Sequence, residues 1–226
     1  METQKTILKE FDVNRSAALK KMGEEHFPDD ISSDSIIASC FHPIADIILY
    51  NGHFIITCKK GNSSFEFGIR VDALELYYNE EVQNGYVDEK MYHINSRIPY
   101  YMKAHGISEY PYYEFGSFNL HQSGIDVTFE NEEKRYRASF LIRKFSIVEA
   151  NGNDIKNSTK TDKYSTHIFD YFFLNGVSDN ACSSIHWKTI CNEECTKSPK
   201  SILDFRQNLP DDVDRGKRWQ FNRDDI

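Results

Sequence analysis

Phe67 to Tyr78 reads FGIRVDALELYY, and the fold can be built outward from it. The stretch is rich in β-branched and aromatic residues, which favour strands. Side chains alternate along a strand. Val71, Ala73, Glu75 and Tyr77 are therefore expected on one face, and Leu74, Leu76 and Tyr78 on the other. Both faces are largely apolar, which places the strand inside the fold. Glu75 is the exception. A carboxylate among such neighbours is costly unless it is paired, hydrogen-bonded or functional. A structural pair with a nearby arginine is the plain alternative to a functional role.

The neighbouring segments extend the same pattern. His53 to Lys59 reads as a strand, and Gly61-Asn62 supplies a turn into the longer strand Phe65 to Tyr78, making a hairpin. Phe115 to Glu130 returns to strand, with Ile125, Val127 and Phe129 alternating against Asp126, Thr128 and Glu130. Arg135 to Glu149 is another long strand, with Tyr136, Ala138, Phe140 and Ile142 sharing a face. Trp219-Gln220-Phe221 reads as a last strand. Ahead of the sheet, Ser32, Ser33 and Asp34 are N-cap residue types before the apolar run Ile36 to Leu49. Pro43 is expected to kink that helix or split it. Residues 79–114 read as a long, aromatic-rich connection with one short helix near 98–105, and connections of this length are often functional. Residues 175–200 read as loop. The fold class expected is a single α+β domain on a curved, mainly antiparallel β-sheet with short peripheral helices. It spans residues 1–226, with residues 1–30 a peripheral helical N-terminus.

Composition narrows the function classes. Lys and Arg number 27 against 35 Asp and Glu, a formal net charge of −8. Such a chain does not attract polyanions through its overall field, so nucleic-acid contact needs a local basic patch. No early segment reads as a signal peptide. No run approaches the roughly 18 apolar residues of a membrane span. A cytoplasmic protein with no membrane contact, monomeric, is the expectation. The five cysteines, Cys40, Cys58, Cys182, Cys191 and Cys195, are an odd set and do not suggest a disulfide framework.

Three constellations could carry chemistry. The first is Glu75 with Tyr77, Tyr92-His93, Asp126 and Arg143. A carboxylate flanked by aromatics suits a general base, and an aromatic pocket suits a planar ligand such as a nucleobase. Structural ion pairs are the alternative. The second is basic density, with Lys134, Arg135, Arg137, Arg143 and Lys144 close together and Arg215, Lys217, Arg218 and Arg223 near the end. Together they could form one phosphate-binding face, or simply be solvated strand faces. The third is Cys182, His186, Cys191 and Cys195, spaced C-x3-H-x4-C-x3-C. These are four zinc-type ligands without the C-x2-C knuckle of a strong zinc signal. Phosphate-loop, dinucleotide, zincin and serine-hydrolase motifs are absent from the sequence.

The order of these pieces resembles the alkyladenine (3-methyladenine) DNA glycosylases over roughly residues 36–223. Ala73-Leu74-Glu75-Leu76-Tyr77-Tyr78 is similar to that family's E-x-E-A-Y stretch, whose second Glu is the catalytic base and whose Tyr stacks on the flipped base. The resemblance assigns those roles to Glu75 and Tyr77, and a base contact to His93. Asp126 stands where the family has an Asn beside the base pocket, so a second carboxylate is expected near Glu75. It could protonate the leaving base. Leu141-Ile142-Arg143, with Glu149 and Gly152 beyond, is similar to the family's L-[IL]-R-A-x-E-P-x-x-G. Arg206-Gln207-Asn208-Leu209 and Arg218-Trp219-Gln220-Phe221 look like its closing segments. The R-N-x-x-M-F stretch has no counterpart here. The resemblance implies a glycosylase-like core over residues 31–226 that hydrolyses the N-glycosidic bond of a base flipped from duplex DNA, without a cofactor. Glu75 and Asp126 would be catalytic. Tyr77, His93 and Arg143 would form the base-binding set, with Arg143 holding Glu75 or a phosphate. Arg135, Arg137, Arg215, Lys217 and Arg218 would contact the DNA backbone. Two alternatives stay open: a noncatalytic relative binding nucleic acid, nucleotide or a protein partner, and a structural domain held by zinc.

Overall fold

The computed structural model describes residues 33–92, 102–106, 110–113, 116–121, 124–155, 181–190, 201–206, 217 and 219–224. The N-cap cluster starts helix α1 (Ser33–Tyr50) as expected, with Asp34 in the first turn where the helix dipole favours an acid. Pro43 does not split it. The helix is one 18-residue element, and Pro43 lies on its solvent face together with Ser39, whose carbonyl loses its helical partner there. Water can satisfy that carbonyl. On the opposite face Phe41, Ile44, Ala45 and Leu49 are buried in the core, and that burial outweighs a proline cost of about 3 kcal/mol.

The rest of the core is one antiparallel sheet. Its strands are β1 (Gly52–Lys60), β2 (Ser63–Glu80), β3 (Phe118–His121), β4 (Gly124–Thr128), β5 (Tyr136–Ala150), β6 (Asn153–Asp154), β7 (Ala181–Thr189), β8 (Ile202–Asp204) and β9 (Gln220–Asn222). The order is β3-β4-β5-β2-β1-β7, with β6 on β5, β9 on β2 and β8 on β9. The β1–β2 hairpin turns at Gly61, whose φ of 57° suits glycine. Three expectations are corrected. Phe115 to Glu130 is not one strand. It reverses between His121 and Gly124 to make the β3–β4 hairpin. Residues 175–200 hold strand β7, because Ile185 and Trp187 alternate onto the core and Trp187 meets Phe54 edge-on at 5.0 Å. The third concerns the phase of β2.

Inner-face residues Val71 and Leu74 are separated by two residues, Asp72 and Ala73, instead of one. On β5, inner-face Ile142 and Phe145 are likewise separated by Arg143 and Lys144. Each strand carries one extra residue at the same place, so Val71 still pairs with Phe145 and Leu74 with Ile142. Val71 therefore belongs with Leu74, Leu76 and Tyr78, not with Glu75. Paired bulges of this kind bend a strand and re-aim side chains. Arg143 is the side chain re-aimed here.

The sheet curls into a half-barrel. Phe54 on β1 and Phe118 on β3 lie four strand spacings apart in the sheet, about 19 Å if it were flat. Their rings meet at 5.1 Å. Only strong curvature toward their shared face allows this. That inner face holds the apolar core, on which α1 packs through Phe41 against Tyr78 (5.4 Å) and Phe140 (6.0 Å). The Trp219 indole N–H donates to the Asp34 carbonyl at 2.9 Å and fixes β9 to the start of the helix.

Candidate functional site

The outer face of the sheet is polar. Six paired positions form one row across β8, β9, β2, β5, β4 and β3: Asp204, Gln220, Glu75, Leu141, Asp126 and Asn119. Paired residues share a face. The two carboxylates of the sequence reading thus lie on one face, two strands apart, about 10 Å at Cα. Gln220, Glu75, Leu141, Asp126 and Asn119 are all buried. Burying such groups is costly unless each is hydrogen-bonded. The partners differ along the row.

Glu75 is saturated. Its Oε2 accepts Arg143 Nε at 2.9 Å, and its Oε1 accepts Arg143 Nη2 at 2.5 Å and the Tyr77 hydroxyl at 2.5 Å. This two-pronged pair is the strong form of an Arg–carboxylate contact, and the β5 bulge makes it reachable. Burial, and then the charge of Glu75, push the Tyr77 hydroxyl well above its usual range, so it stays a donor. The Arg206 guanidinium lies 4.8 Å from the Tyr77 ring centre and 5.2 Å from that of Trp219. Asp88 holds Arg206 in place at 2.7 Å and 3.3 Å. Arg143 therefore contacts Glu75, one of its two expected roles.

Asp126 is different. Its Oδ2 meets His121 Nε2 at 2.8 Å and accepts Asn119 Nδ2 at 3.5 Å. Its Oδ1 is buried with no hydrogen-bond partner among the described residues, as are Ser139 Oγ and Gln220 Oε1 on the same face. The His121 side chain is 27% exposed. Asn119 Oδ1 accepts the Tyr113 hydroxyl at 3.3 Å, which leaves the Tyr110 hydroxyl to donate to Tyr113, also at 3.3 Å. A directed chain of donors thus ends on Asp126.

A third cluster sits at the far end of β5. Arg137 is 1% exposed. Its Nε donates to Glu81 at 2.6 Å and its Nη1 to Glu130 at 2.9 Å, and it reaches the carbonyls of Tyr110 and Pro111. Its guanidinium stacks 3.8 Å above the Tyr112 ring. Arg137, expected at the DNA backbone, is buried here and directs four of its five N–H donors to groups inside the protein. Arg135 beside it is exposed at a φ of 53°, with its Nε bonded to the Glu81 carbonyl at 2.9 Å. These arginines line a groove of about 330 Å³ with Glu81, Glu132, Tyr110, Pro111 and Tyr112. Lys217 packs over Trp219 (5.0 Å) and Tyr86 (5.3 Å), 4.0 Å from Asp88.

His93, Arg215, Arg218, Cys191 and Cys195 lie outside the described residues. Cys182 and His186 are both in β7, opposite Lys59 and Ile55. Among the described residues no three His, Cys, Asp or Glu side chains are placed to hold a metal, and no helix is long and apolar enough to cross a membrane.

Sequence reasoning missed His121, Asn119, Tyr113 and Glu130. A signal existed for the first two. Asn119 and His121 alternate with Phe118 and Leu120, the same polar-out pattern as Asp126 and Thr128 across the turn. No family model matches the chain, and no curated protein or solved structure matches it.

Proposed function

We propose that the outer-face row is the substrate site of a DNA glycosylase-like hydrolase, with Asp126 rather than Glu75 in the acid–base role. One observation carries this reading. Asp126 is the buried carboxylate on the row that keeps an oxygen without a partner among the described residues, while its other oxygen lies 2.8 Å from Nε2 of the part-exposed His121. Both Glu75 oxygens already accept hydrogen bonds from Arg143 and Tyr77, which compete with the activation of a water. Glu75 acts instead as a fixed negative charge beneath the site, of the kind that steadies a developing oxocarbenium ion. Asp126 either activates water or protonates the leaving base, with His121 as its proton partner. The base would come from duplex DNA and be flipped out to reach the row. Arg135 is the exposed arginine of the expected backbone set among the described residues.

A second reading has its own support. Glu75 saturated, Arg137 internal and a net charge of −8 also suit a noncatalytic relative of this fold that binds a nucleotide or nucleic acid. Base release from duplexes carrying alkylated, deaminated and mismatched bases, at low salt, separates the two. The hydrolase reading expects release by the wild type, at least about a hundredfold less with Asp126→Asn, and a smaller loss with His121→Gln. Binding without release from any duplex would leave the noncatalytic reading. Full release by Asp126→Asn would remove Asp126 from the mechanism.

A further inference from the structure

Residues 110–113 are clasped onto the outer face by side chains. Arg137 Nη2 donates to the Tyr110 carbonyl at 2.7 Å and Nη1 to the Pro111 carbonyl at 2.9 Å. Glu130 Oε2 accepts the Tyr113 N–H at 2.7 Å. The Tyr112 hydroxyl donates to Glu81. What this strap holds down matters. The rings of Tyr110 and Tyr113 pack on the cluster of Leu141, Tyr77, Met91 and Tyr92, and the Tyr113 hydroxyl leads through Asn119 to Asp126. The strap is thus a cover over the polar row.

The clasp contains an electrostatic conflict. Two carboxylates, Glu81 and Glu130, both accept from the guanidinium of Arg137. The Glu130 side chain is fully buried, whereas that of Glu81 is 25% exposed. The groups facing Glu130 are Arg137 from β5, Glu81 from the end of β2, the Tyr92 hydroxyl and the Tyr113 amide. A buried carboxylate that must share its cation gains by taking a proton. Its neutral form still accepts Tyr113 and Arg137 through Oε2 and carries the proton on Oε1, where the Tyr92 hydroxyl, a donor to the ionised form, turns to accept it.

We infer that Glu130 is a proton-operated latch that holds the 110–113 strap over the Asp126 row when protonated and loosens it when ionised. The sign follows from linkage. Burial, reinforced by the charge of Glu81 and opposed by the Tyr113 amide and Arg137, raises Glu130 from its ordinary 4.5 to about 7. With the strap lifted the carboxyl is hydrated and returns toward its ordinary value. The closed form therefore binds the proton more tightly, and rising pH through neutrality favours opening. That opening exposes the proposed reactive row rests on the reading above; the latch itself does not.

Amide hydrogen exchange tests the latch without any substrate. In the wild type, protection of the Tyr113 amide, corrected for intrinsic exchange chemistry, should fall about tenfold between about pH 6 and about pH 8. The Phe140 amide in β5 serves as the global reference. Protection at Tyr113 that stays constant, or that merely follows Phe140, would overturn the inference. In Glu130→Gln the Tyr113 dependence should vanish, and its survival would assign the effect to another group. Should that variant fail to fold, direct NMR titration of the wild-type Glu130 carboxyl decides. A midpoint near 7 supports the latch, and one near 4.5 removes it.

Discussion

The two faces of one sheet solve the burial problem in opposite ways. The inner face is apolar and closes by curling, so that Phe54 and Phe118 meet across four strands. The outer face is equally buried around Glu75, Asp126 and Arg137, yet it is held by directed charge contacts. Apolar packing is forgiving of identity and sensitive to volume. A buried ion pair is the reverse: losing one partner leaves an uncompensated charge, while losing both can be nearly neutral. The same strands thus carry an apolar core on one side and a buried polar network on the other.

The largest expected effect uses that asymmetry. Arg143→Met should cost about 3–5 kcal/mol by denaturant unfolding, because Glu75 remains buried without its cation. Adding Glu75→Leu should recover most of the loss. Phe140→Ala on the inner face should cost a similar 3–5 kcal/mol, with no rescue from removing its neighbour Phe41. A double outer-face variant as unstable as the single one would break the comparison.

A smaller effect sharpens it at the Arg137 cluster. Glu130 has its folded pKa raised to about 7, so its contribution is present below its ordinary value and is lost as pH rises toward 7. Glu130→Gln cannot titrate. Its stability relative to the wild type should improve by about 3 kcal/mol between about pH 4.5 and above pH 7. Parallel stability curves for the two proteins would contradict this. The smallest effect is expected from Tyr110→Phe, which removes the first donor of the chain leading to Asp126. About 1 kcal/mol should be lost, measurable as a shift in the urea midpoint, and a loss above about 3 kcal/mol would show that the tyrosine chain holds more than itself.

The inner face was largely legible in the sequence, because period-two alternation in Ile125-Val127-Phe129 and Tyr136-Ala138-Phe140-Ile142 reports directly on a packed surface. Its bulges were not. An extra residue at Asp72 and at Arg143 leaves no mark in composition, yet it returned Val71 to the core and turned Arg143 onto Glu75. The outer face was legible only in part. Glu75, Tyr77 and Asp126 stood out as polar or aromatic groups within strands. His121 was hidden because its partner lies across a hairpin that read as one strand. Arg137 misled because a charge run looks like a surface, and its burial depends on Glu81, Glu130 and residues 110–113 arriving from distant parts of the chain.

The central claim is that the outer face receives the ligand and the inner face does not. Leucine methyl NMR tests it most directly, because Leu141 is the one apolar residue of the outer row and Leu74 and Leu76 lie on the inner face of the neighbouring strand. A duplex carrying an abasic-site analogue would be titrated into the protein at low salt. The Leu141 methyls should shift and saturate while those of Leu74 and Leu76 stay in place. Shifts at Leu74 and Leu76 with Leu141 unmoved, or no shift at any of the three, would contradict the account.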